Sequence, residues 1–232
     1  QLTLARRSGS VELNLPSGTP AYVARTQGAT RGLVVIPDVW GLRPLFTDMC
    51  DTLAERTGWS VGTFEPFPGR DLPDEGDPDA GPRRFAALPG MSDRALLGDA
   101  VATAAETGCQ HVGLIGFCMG GMYALKASSL ERFDRIVAFY GMIHVPEAWK
   151  GPEQGEPLAA LAARGHTAVM AILGSVDPAT PPGHVRELRD LGIDVVEYVD
   201  ADHGFVHDPS RPAHRREDAA AAWHQAITFL AG

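Results

Sequence analysis

The stretch 111–126 constrains the fold more than any other part of the chain. It opens with an apolar run at 112–115 bounded by glycines, which is typical of a buried strand in a parallel sheet. Apolar residues from Met119 onward then suggest a helix. Glycines stand two positions before and two positions after Cys118, which matches the G-x-S-x-G pattern with cysteine in place of serine. The sequence therefore predicts a strand, a sharp turn and a helix, in that order.

This turn favours a nucleophile at Cys118 for a mechanical reason. Only glycine at 116 and 120 avoids a clash with the neighbouring strand and helix. The turn points the sulfur out of the sheet at a helix N-terminus, where unpaired N–H groups favour negative charge. One alternative stays open on this stretch alone: Cys118 is a buried structural cysteine beside helix-packing glycines, since free cysteines are often buried.

Strand and helix patterns alternate from Leu33 onward, which predicts an α/β fold with a mostly parallel central sheet and helices on both faces. A predicted hairpin at 11–15 and 20–25, turning at Pro16-Ser17-Gly18, comes before it. Asp93 is the predicted N-cap of one helix. The other predicted strands are 33–36, 60–64, 136–139, 169–173 and 195–199, and the predicted helices carry apolar positions within 45–54, 96–104, 119–125, 158–163, 185–191 and 220–230.

Residues 65–90 form the one long stretch without a periodic pattern, and they are rich in proline, glycine and aspartate. A loop of this length in a compact domain is usually either functional or mobile. Because it follows the carboxyl end of the strand predicted at 60–64, we expect it to overhang the site where ligands bind in such sheets. The loop contains the adjacent pair Arg83 and Arg84.

Length, charge and cysteine content narrow the class of protein. A chain of 232 residues is expected to be one domain, 1–232, since α/β folds of this size are often undivided. A net charge of −9 argues against nonspecific nucleic-acid binding. No apolar run approaches a membrane span, nothing resembles a signal peptide, and three cysteines without a C-x-x-C pair argue against a disulfide framework. We therefore expect a cytoplasmic monomer or small homo-oligomer that acts on a small molecule and has no nucleic-acid or membrane partner.

Four ionisable side chains come shortly after predicted strands: Asp38, Asp177, Asp202 and His203. Ligands in parallel sheets bind outside the carboxyl ends of the strands, so these groups are expected near Cys118. A thiol needs a base to hold it as thiolate, and the base needs a carboxylate to fix its tautomer and stabilise its cation. Cys118, His203 and Asp177 suit these roles, and the chain order is nucleophile, acid, histidine.

Single residues in this set have other interpretations. A lone Asp after a strand is more often a turn former or a helix cap. His203 and His207 have the i, i+4 spacing of a metal-binding pair, but the zincin pattern needs Glu directly after the first His, where this chain has Gly204. We therefore predict no metal site.

Four segments resemble the dienelactone hydrolase family of α/β-hydrolases: PDVWGL at 37–42, GFCMGG at 116–121, GSVDPATP at 174–181 and DADHGF at 200–205. The resemblance implies the α/β-hydrolase fold and a hydrolase of carboxylic esters or lactones, with an acyl-cysteine intermediate and no metal or organic cofactor. It carries over Cys118, Asp177 and His203 as the catalytic triad. It also carries over the backbone N–H groups of Val39 and Met119 as the oxyanion hole.

The resemblance further implies a role for Asp38. Family members place an acidic residue at this position, which holds the resting thiol neutral until substrate arrives. In the dienelactone enzymes that residue is Glu, so Asp38 is a thiol-gating candidate that is one methylene shorter.

A second departure concerns substrate binding. The dienelactone enzymes hold the substrate carboxylate with two arginines, one in the long loop and one four residues after the catalytic His. In this chain the second position is His207, and the loop offers Arg83 and Arg84. These three are the candidate anion-binding residues, with the alternative that both arginines are solvated charges in an acidic loop. Trp40, Phe67 and Phe85 are expected to supply the apolar wall.

Two other classes of protein compete with an ester or lactone hydrolase. A nucleotide-binding oxidoreductase fails on spacing, because the glycines around Cys118 do not form G-x-G-x-x-G. A noncatalytic binding protein with the α/β-hydrolase fold is the remaining alternative. The presence of Cys118, Asp177 and His203 argues against this alternative, because binding alone does not require all three residues.

Overall fold

The computed structural model describes residues 8–232, in which eight strands form one sheet. The strand order is β1-β2-β4-β3-β5-β6-β7-β8. The strands are β1 (Ser8–Asn14), β2 (Pro20–Thr26), β3 (Arg31–Ile36), β4 (Ser60–Phe64), β5 (His111–Phe117), β6 (Arg135–Phe139), β7 (Ala168–Gly174) and β8 (Asp194–Tyr198). β1, β2 and β4 pair antiparallel, and the strands from β4 to β8 pair in parallel.

Seven α-helices connect or flank these strands in the described part of the chain. They are α1 (Pro44–Thr57), α2 (Ala80–Ala87), α3 (Asp93–Glu106), α4 (Met119–Lys126), α5 (Pro157–Ala162), α6 (Pro182–Asp190) and α7 (Arg216–Ala231). Short 3₁₀ turns occur at Leu88–Gly90, Ala127–Ser129 and Glu147–Trp149. Within residues 8–232, no helix has both the length and the apolar composition that crossing a membrane would require.

The two faces of the sheet are buried under different helices. Alternate residues of a strand point to opposite faces, so Val34 and Ile36 of β3 belong to one apolar cluster and Leu33 and Val35 to another. The first cluster includes side chains of α3, α4 and α6, whereas the second includes side chains of α1 and α7. The prediction of a mostly parallel sheet with helices on both faces is confirmed, and this is the α/β-hydrolase fold.

Two local predictions are corrected. Residues 65–90 are not an irregular loop throughout, because they contain α2 and the 3₁₀ turn that follows it. This helix was not predicted because glycine and proline, here Gly81 and Pro82, usually disfavour helices. Both lie in the first turn of α2, where the backbone N–H groups have no acceptor within the helix, so proline removes no hydrogen bond. The N-cap of α3 is Ser92, whose hydroxyl accepts a hydrogen bond from the Ala95 N–H at 3.3 Å. Asp93 is the first helical residue instead.

Candidate active site

Cys118 lies between β5 and α4 in a strained backbone conformation, with φ 55° and ψ −116°. Such conformations cost roughly 1–3 kcal/mol and persist only where the surroundings enforce them. A Cβ at Gly116 would lie 2.0 Å from the Gly120 carbonyl oxygen, and a Cβ at Gly120 would lie 2.3 Å from the Ile36 carbonyl oxygen. Both positions therefore require glycine. Cys118 is partly exposed, whereas the other two cysteines are buried.

His203 and Asp177 come together beside this cysteine. Asp177 follows β7 and is buried, and its Oδ2 lies 2.8 Å from His203 Nδ1. Its other oxygen accepts a hydrogen bond from the Ala179 N–H at 2.8 Å, which fixes the carboxylate. Because an ionised carboxylate only accepts, Nδ1 carries the proton in this pair.

The electrostatics of His203 favour its charged form. Burial lowers the pKa of His203, but the negative charge of Cys118 and hydrogen bonds to Asp177 and Cys118 raise it to about 10. His203 can therefore carry a positive charge beside the sulfur of Cys118, where it would stabilise negative charge on that sulfur.

Asp38 lies at the same edge of the sheet, and donors occupy both of its oxygens. Oδ1 accepts from Arg43 Nη1 at 2.7 Å and from the Trp40 N–H at 2.9 Å. Oδ2 accepts from Arg43 Nη2 at 3.0 Å and from His207 Nε2 at 2.8 Å. Burial raises the pKa of Asp38, but the hydrogen bonds from His207 and Arg43 outweigh it and hold this pKa well below its usual value.

Among residues 8–232, Asp38 makes no hydrogen bond to the thiol that it is predicted to gate. The hydrogen bonds of the carboxylate go to Trp40, Arg43 and His207, and none goes to Cys118. The shorter side chain of Asp is directed into this buried ion pair instead. The geometry therefore suits a positioning role for Asp38 better than a direct contact with sulfur.

Tyr140 completes the buried group and was missed in the sequence. It follows β6 with φ 38°, is fully buried, and its Oη lies 2.5 Å from His207 Nδ1. Burial raises the pKa of the Tyr140 hydroxyl well above its ordinary value, so it stays neutral. The signal that could have found it is the one used for Asp38 and Asp177, a polar side chain directly after a predicted parallel strand.

His207 therefore has no free ring nitrogen. Nε2 bonds Asp38, Nδ1 bonds Tyr140, and the ring stacks on Phe117 with centroids 4.8 Å apart. The residue touches the cavity but is 5% exposed. The prediction that His207 binds a substrate anion is not supported by this geometry, because both nitrogens already have protein partners.

Cys118 and His203 line a cavity of about 830 Å³. The predicted wall residues Trp40 and Phe85 line it, and the Phe85 and Trp149 rings lie 5.9 Å apart. Lining residues that the sequence analysis did not single out include Met142, His144, Val145, Trp149, His184 and Arg211. Phe67 is not among the lining residues. It is buried, and the Arg84 guanidinium lies over its ring at 5.9 Å.

The structure does not bring the two loop arginines to this cavity. Arg84 is buried, and it donates from Nε to the Pro73 carbonyl at 2.9 Å and from Nη1 to the Val39 carbonyl at 3.3 Å. Arg83 is exposed and donates to the Asp71 carbonyl at 2.7 Å. A substrate-binding role was predicted for these residues because residues 65–90 were expected to be a loop. The helix α2 within that stretch was not predicted. In α2, Arg84 is turned to the protein interior and holds the loop against Val39.

Among residues 8–232, Arg211 is the arginine that lines the cavity. Its guanidinium lies over the Trp40 ring at 5.6 Å and forms ion pairs with Glu75 and, at 3.2 Å, Asp208. The sequence offered no signal to choose it, because several arginines follow His203 and no local pattern distinguishes them.

The predicted oxyanion-hole donors lie at two segments that meet beside Cys118. Gly41 N–H closes a turn onto the Asp38 carbonyl at 3.1 Å, and the N–H of Val39 donates to no acceptor among residues 8–232. Met119 is the first residue of α4, so its N–H has no acceptor within the helix. The close approach of Gly120 to the end of β3 brings these two segments together.

Comparison with known proteins agrees with the fold and the motifs. The model of the dienelactone hydrolase family matches residues 19–232. Carboxymethylenebutenolidase 2 of Cupriavidus pinatubonensis is 27% identical over 199 residues, covering 80% of this chain and 78% of that protein. A Bradyrhizobium protein named as a 2-oxo-3-(5-oxofuran-2-ylidene)propanoate lactonase is 24% identical over 226 residues, covering 90% and 88%. A solved structure from Klebsiella pneumoniae, described as a dienelactone hydrolase, superposes with a TM-score of 0.82 at 20% identity, covering 97% of this chain and 99% of that one.

These similarities carry different weight. At 20% identity the solved structure shows the fold alone. The family match is more informative, because it spans the elbow at Cys118 and both residues of the Asp177–His203 pair. The chain therefore belongs to the dienelactone hydrolase family, and it is a hydrolase of that type.

Proposed function

We propose that this protein hydrolyses carboxylic esters or lactones through an acyl-cysteine intermediate on Cys118. His203 acts as the acid and base, and Asp177 orients it. The observation that carries the proposal is the hydrogen-bonded Asp177–His203 pair beside a cysteine on a strained turn, open to an apolar cavity of about 830 Å³. The cavity volume falls within the range of small-molecule sites.

The acylation half of the reaction begins with the thiolate–imidazolium pair. Sγ of Cys118 attacks the carbonyl carbon of the ester, and the π electrons move onto the carbonyl oxygen. The N–H groups of Val39 and Met119 stabilise this oxyanion. When the carbonyl re-forms, the bond to the alkoxy oxygen breaks. The leaving oxygen takes the proton from His203, which leaves a neutral imidazole and an acyl-cysteine.

Deacylation reverses these roles with water. Neutral His203 removes a proton from a water molecule as its oxygen attacks the acyl carbon, and the same two N–H groups hold the second oxyanion. Collapse of this intermediate expels the Cys118 thiolate and releases the carboxylic acid. The imidazolium facing the thiolate is thereby restored, so no proton is gained or lost over the cycle.

Asp38 and Arg84 support this chemistry through the segment that carries Val39. Asp38 accepts from the Trp40 N–H, and Arg84 donates to the Val39 carbonyl. Both contacts are made by the peptide unit that follows Val39, so they fix the backbone next to the Val39 N–H. A fixed donor needs no reorganisation when the oxyanion forms, which is the main advantage of a preorganised oxyanion hole.

The test compares Cys118→Ala with Cys109→Ala, since Cys109 is a buried cysteine outside the cavity lining. With p-nitrophenyl acetate as substrate, Cys118→Ala is expected to lose at least about 10³-fold in kcat, because removal of a covalent nucleophile abolishes the acyl-enzyme route. Cys109→Ala is expected to keep the wild-type rate. Mass spectrometry of rapidly quenched wild-type enzyme is expected to find one acetyl group on Cys118. A folded Cys118→Ala protein with wild-type turnover overturns the proposal and favours a noncatalytic site at Cys118.

A further inference from the structure

A second group of side chains with metal-binding chemistry lies on the cavity wall, outside the proposed triad. It consists of His144, His184 and Glu187. We propose that these three residues form a binding site for a divalent metal ion of the zinc type. The proposal rests on the cluster itself and does not depend on the ester chemistry at Cys118.

The fold brings these residues together from two segments. His184 and Glu187 stand three residues apart on α6, so they occupy neighbouring positions on one face of that helix. His144 lies in the segment after β6, and its ring centroid is 4.5 Å from that of His184. This site could not be predicted from the sequence, because no local spacing connects His144 to the pair on α6.

The distances suit three ligands that converge on one ion. One potential ligand atom from each residue lies within 4.8 Å of the others, and His144 Nε2 is 2.7 Å from Glu187 Oε2. Metal–ligand bonds of about 2.0–2.1 Å in a tetrahedral site separate ligand atoms by roughly 3.3–3.4 Å. Small side-chain rotations therefore convert the cluster to metal geometry. The side chains of His144 and Glu187 are 36% and 45% exposed, so nothing rigid opposes such rotations.

The donor set is one that zinc uses in proteins. Two histidines and one glutamate, with a fourth position left to water or a ligand, make up a known type of open zinc site. A second carboxylate stands behind the first histidine, since Glu156 Oε2 is 3.7 Å from His144 Nδ1 and accepts a hydrogen bond from the Val145 N–H. Metal-binding histidines almost always donate a hydrogen bond from the nitrogen that faces away from the ion, and a shift of Glu156 that shortens this 3.7 Å separation would supply the acceptor.

The position of the cluster gives the ion access to the cavity. His144 and His184 both line the cavity that contains Cys118 and His203. An ion held between them is within reach of a small molecule in that cavity. The competing interpretation is that His144 and Glu187 form only a surface ion pair, which the following experiment distinguishes.

The test measures zinc binding by isothermal titration calorimetry to the full chain carrying Cys118→Ala, which removes the thiolate as a competing ligand. We expect one zinc ion per chain. In this background, His184→Ala and Glu187→Gln are each expected to weaken binding by roughly 10- to 100-fold or more. Glu187→Gln keeps the shape of the side chain, so circular dichroism is expected to show an intact fold.

The matched control is His111→Ala. His111 and Asp134 also form a His–carboxylate pair, at 3.0 Å, but no third metal-binding side chain joins them among residues 8–232. This substitution is expected to leave zinc affinity unchanged. Absence of zinc binding up to about 1 mM overturns the proposal, since structural zinc sites bind far more tightly. Equal affinity in the parent, His184→Ala and Glu187→Gln also overturns it.

Discussion

Two Asp–His pairs lie side by side at the carboxyl edge of the sheet, and they differ in what faces the second ring nitrogen. His203 bonds Asp177 and His207 bonds Asp38, each at 2.8 Å. The His203 side chain is 30% exposed and interacts with Cys118, whereas that of His207 is 2% exposed and bonds Tyr140. A carboxylate partner is therefore not enough to make a histidine reactive. The second nitrogen must also face a group that can exchange a proton.

The charges around the two carboxylates strengthen this contrast. Arg43 donates to Asp38 from two nitrogens at 2.7 and 3.0 Å, so the negative charge of Asp38 is balanced within the protein. The same arginine also bonds Glu75 at 2.8 Å, which links it to the loop after β4. No arginine or lysine pairs with Asp177 in the part of the chain that the structure describes. Asp177 therefore directs its charge at His203 alone.

Substitution of the two histidines should give the largest difference. His203→Ala is expected to lower kcat/KM for p-nitrophenyl acetate by roughly 10²–10⁴-fold, because it removes the proposed acid and base. His207→Ala is expected to retain much more activity but to lose about 1–3 kcal/mol of unfolding free energy, because Asp38 and Tyr140 lose a buried hydrogen-bond partner. Steady-state kinetics and urea unfolding of both variants measure these effects. Equal activity losses in two folded variants would contradict the contrast.

The two pairs should also lose their contributions to stability at opposite ends of the pH scale. The folded pKa of Asp38 lies below its unfolded value of about 3.9, so its contribution is present above about pH 4 and is lost as pH falls. The folded pKa of His203, about 10, lies above its unfolded value of about 6.5. Its contribution is therefore full below about pH 6.5 and is lost as pH rises towards 10.

Urea unfolding of wild type, Asp38→Asn and His203→Ala at several pH values tests these signs. The stability difference between wild type and Asp38→Asn should shrink below about pH 4, and that between wild type and His203→Ala should shrink above about pH 6.5. Cys118→Ala serves as the control for the second difference, because it removes the largest of the influences that raise the pKa of His203. Differences that stay constant with pH would refute the assignment.

Most of the fold could be predicted from local patterns in the sequence. The turn at Cys118 could be predicted because the glycine spacing that it requires is a local pattern, although the close contact at Gly120 is with Ile36 of β3. The parallel strands are buried on both faces and read as short apolar runs. The helix α2 was missed because Gly81 and Pro82 weaken its start, and its stability depends on tertiary contacts of Arg84. That residues 1–232 form one domain stays a prediction.

The site was predicted less completely, for a different physical reason. Asp38, Asp177 and His203 could be placed at the carboxyl edge because each follows a recognisable strand. The pairing of His207 with Tyr140 and Asp38 could not be predicted, because these two residues meet it from distant parts of the chain. The cavity position of Arg211 depends in the same way on its contact with Trp40.

A smaller effect is expected from Arg211, which offers the cavity the positive charge that His207 does not. For an ester with a distal carboxylate, Arg211→Gln is expected to lower kcat/KM by up to about fivefold, because a partly exposed charge contact contributes about 0.2–1 kcal/mol. A matched neutral ester should react at the wild-type rate. The preference for the anionic ester should be the same at about pH 6 and pH 8, because arginine stays charged throughout.

Arg83→Gln is the matched control, since Arg83 is exposed and bonds only the Asp71 carbonyl among the hydrogen bonds of the described residues. It should change neither rate. A loss of the preference for the anionic ester in Arg83→Gln would instead assign carboxylate binding to the loop at 65–90. A preference for the anionic ester that decreases as the pH rises from about 6 to about 8 would assign carboxylate binding to a protonated histidine, whose ordinary pKa is about 6.5.

The smallest effect is expected at Asp38, and it separates a direct contact with the thiol from a positioning role. Asn at this position can still accept from the Trp40 N–H. It can also donate to Nε2 of His207, and the proton of the His207 ring can then lie on Nδ1 and be donated to Tyr140. Because Asp38 makes no hydrogen bond to sulfur among residues 8–232, Asp38→Asn should alkylate with iodoacetamide at Cys118 within about twofold of the wild-type rate. A carboxylate that gates the thiol would instead disfavour the thiolate, so its removal would speed alkylation several-fold.

Tryptic mapping of the labelled cysteine, with ester turnover measured on the same samples, distinguishes the two roles. Faster labelling at Cys118 in a folded variant would restore Asp38 as the gate.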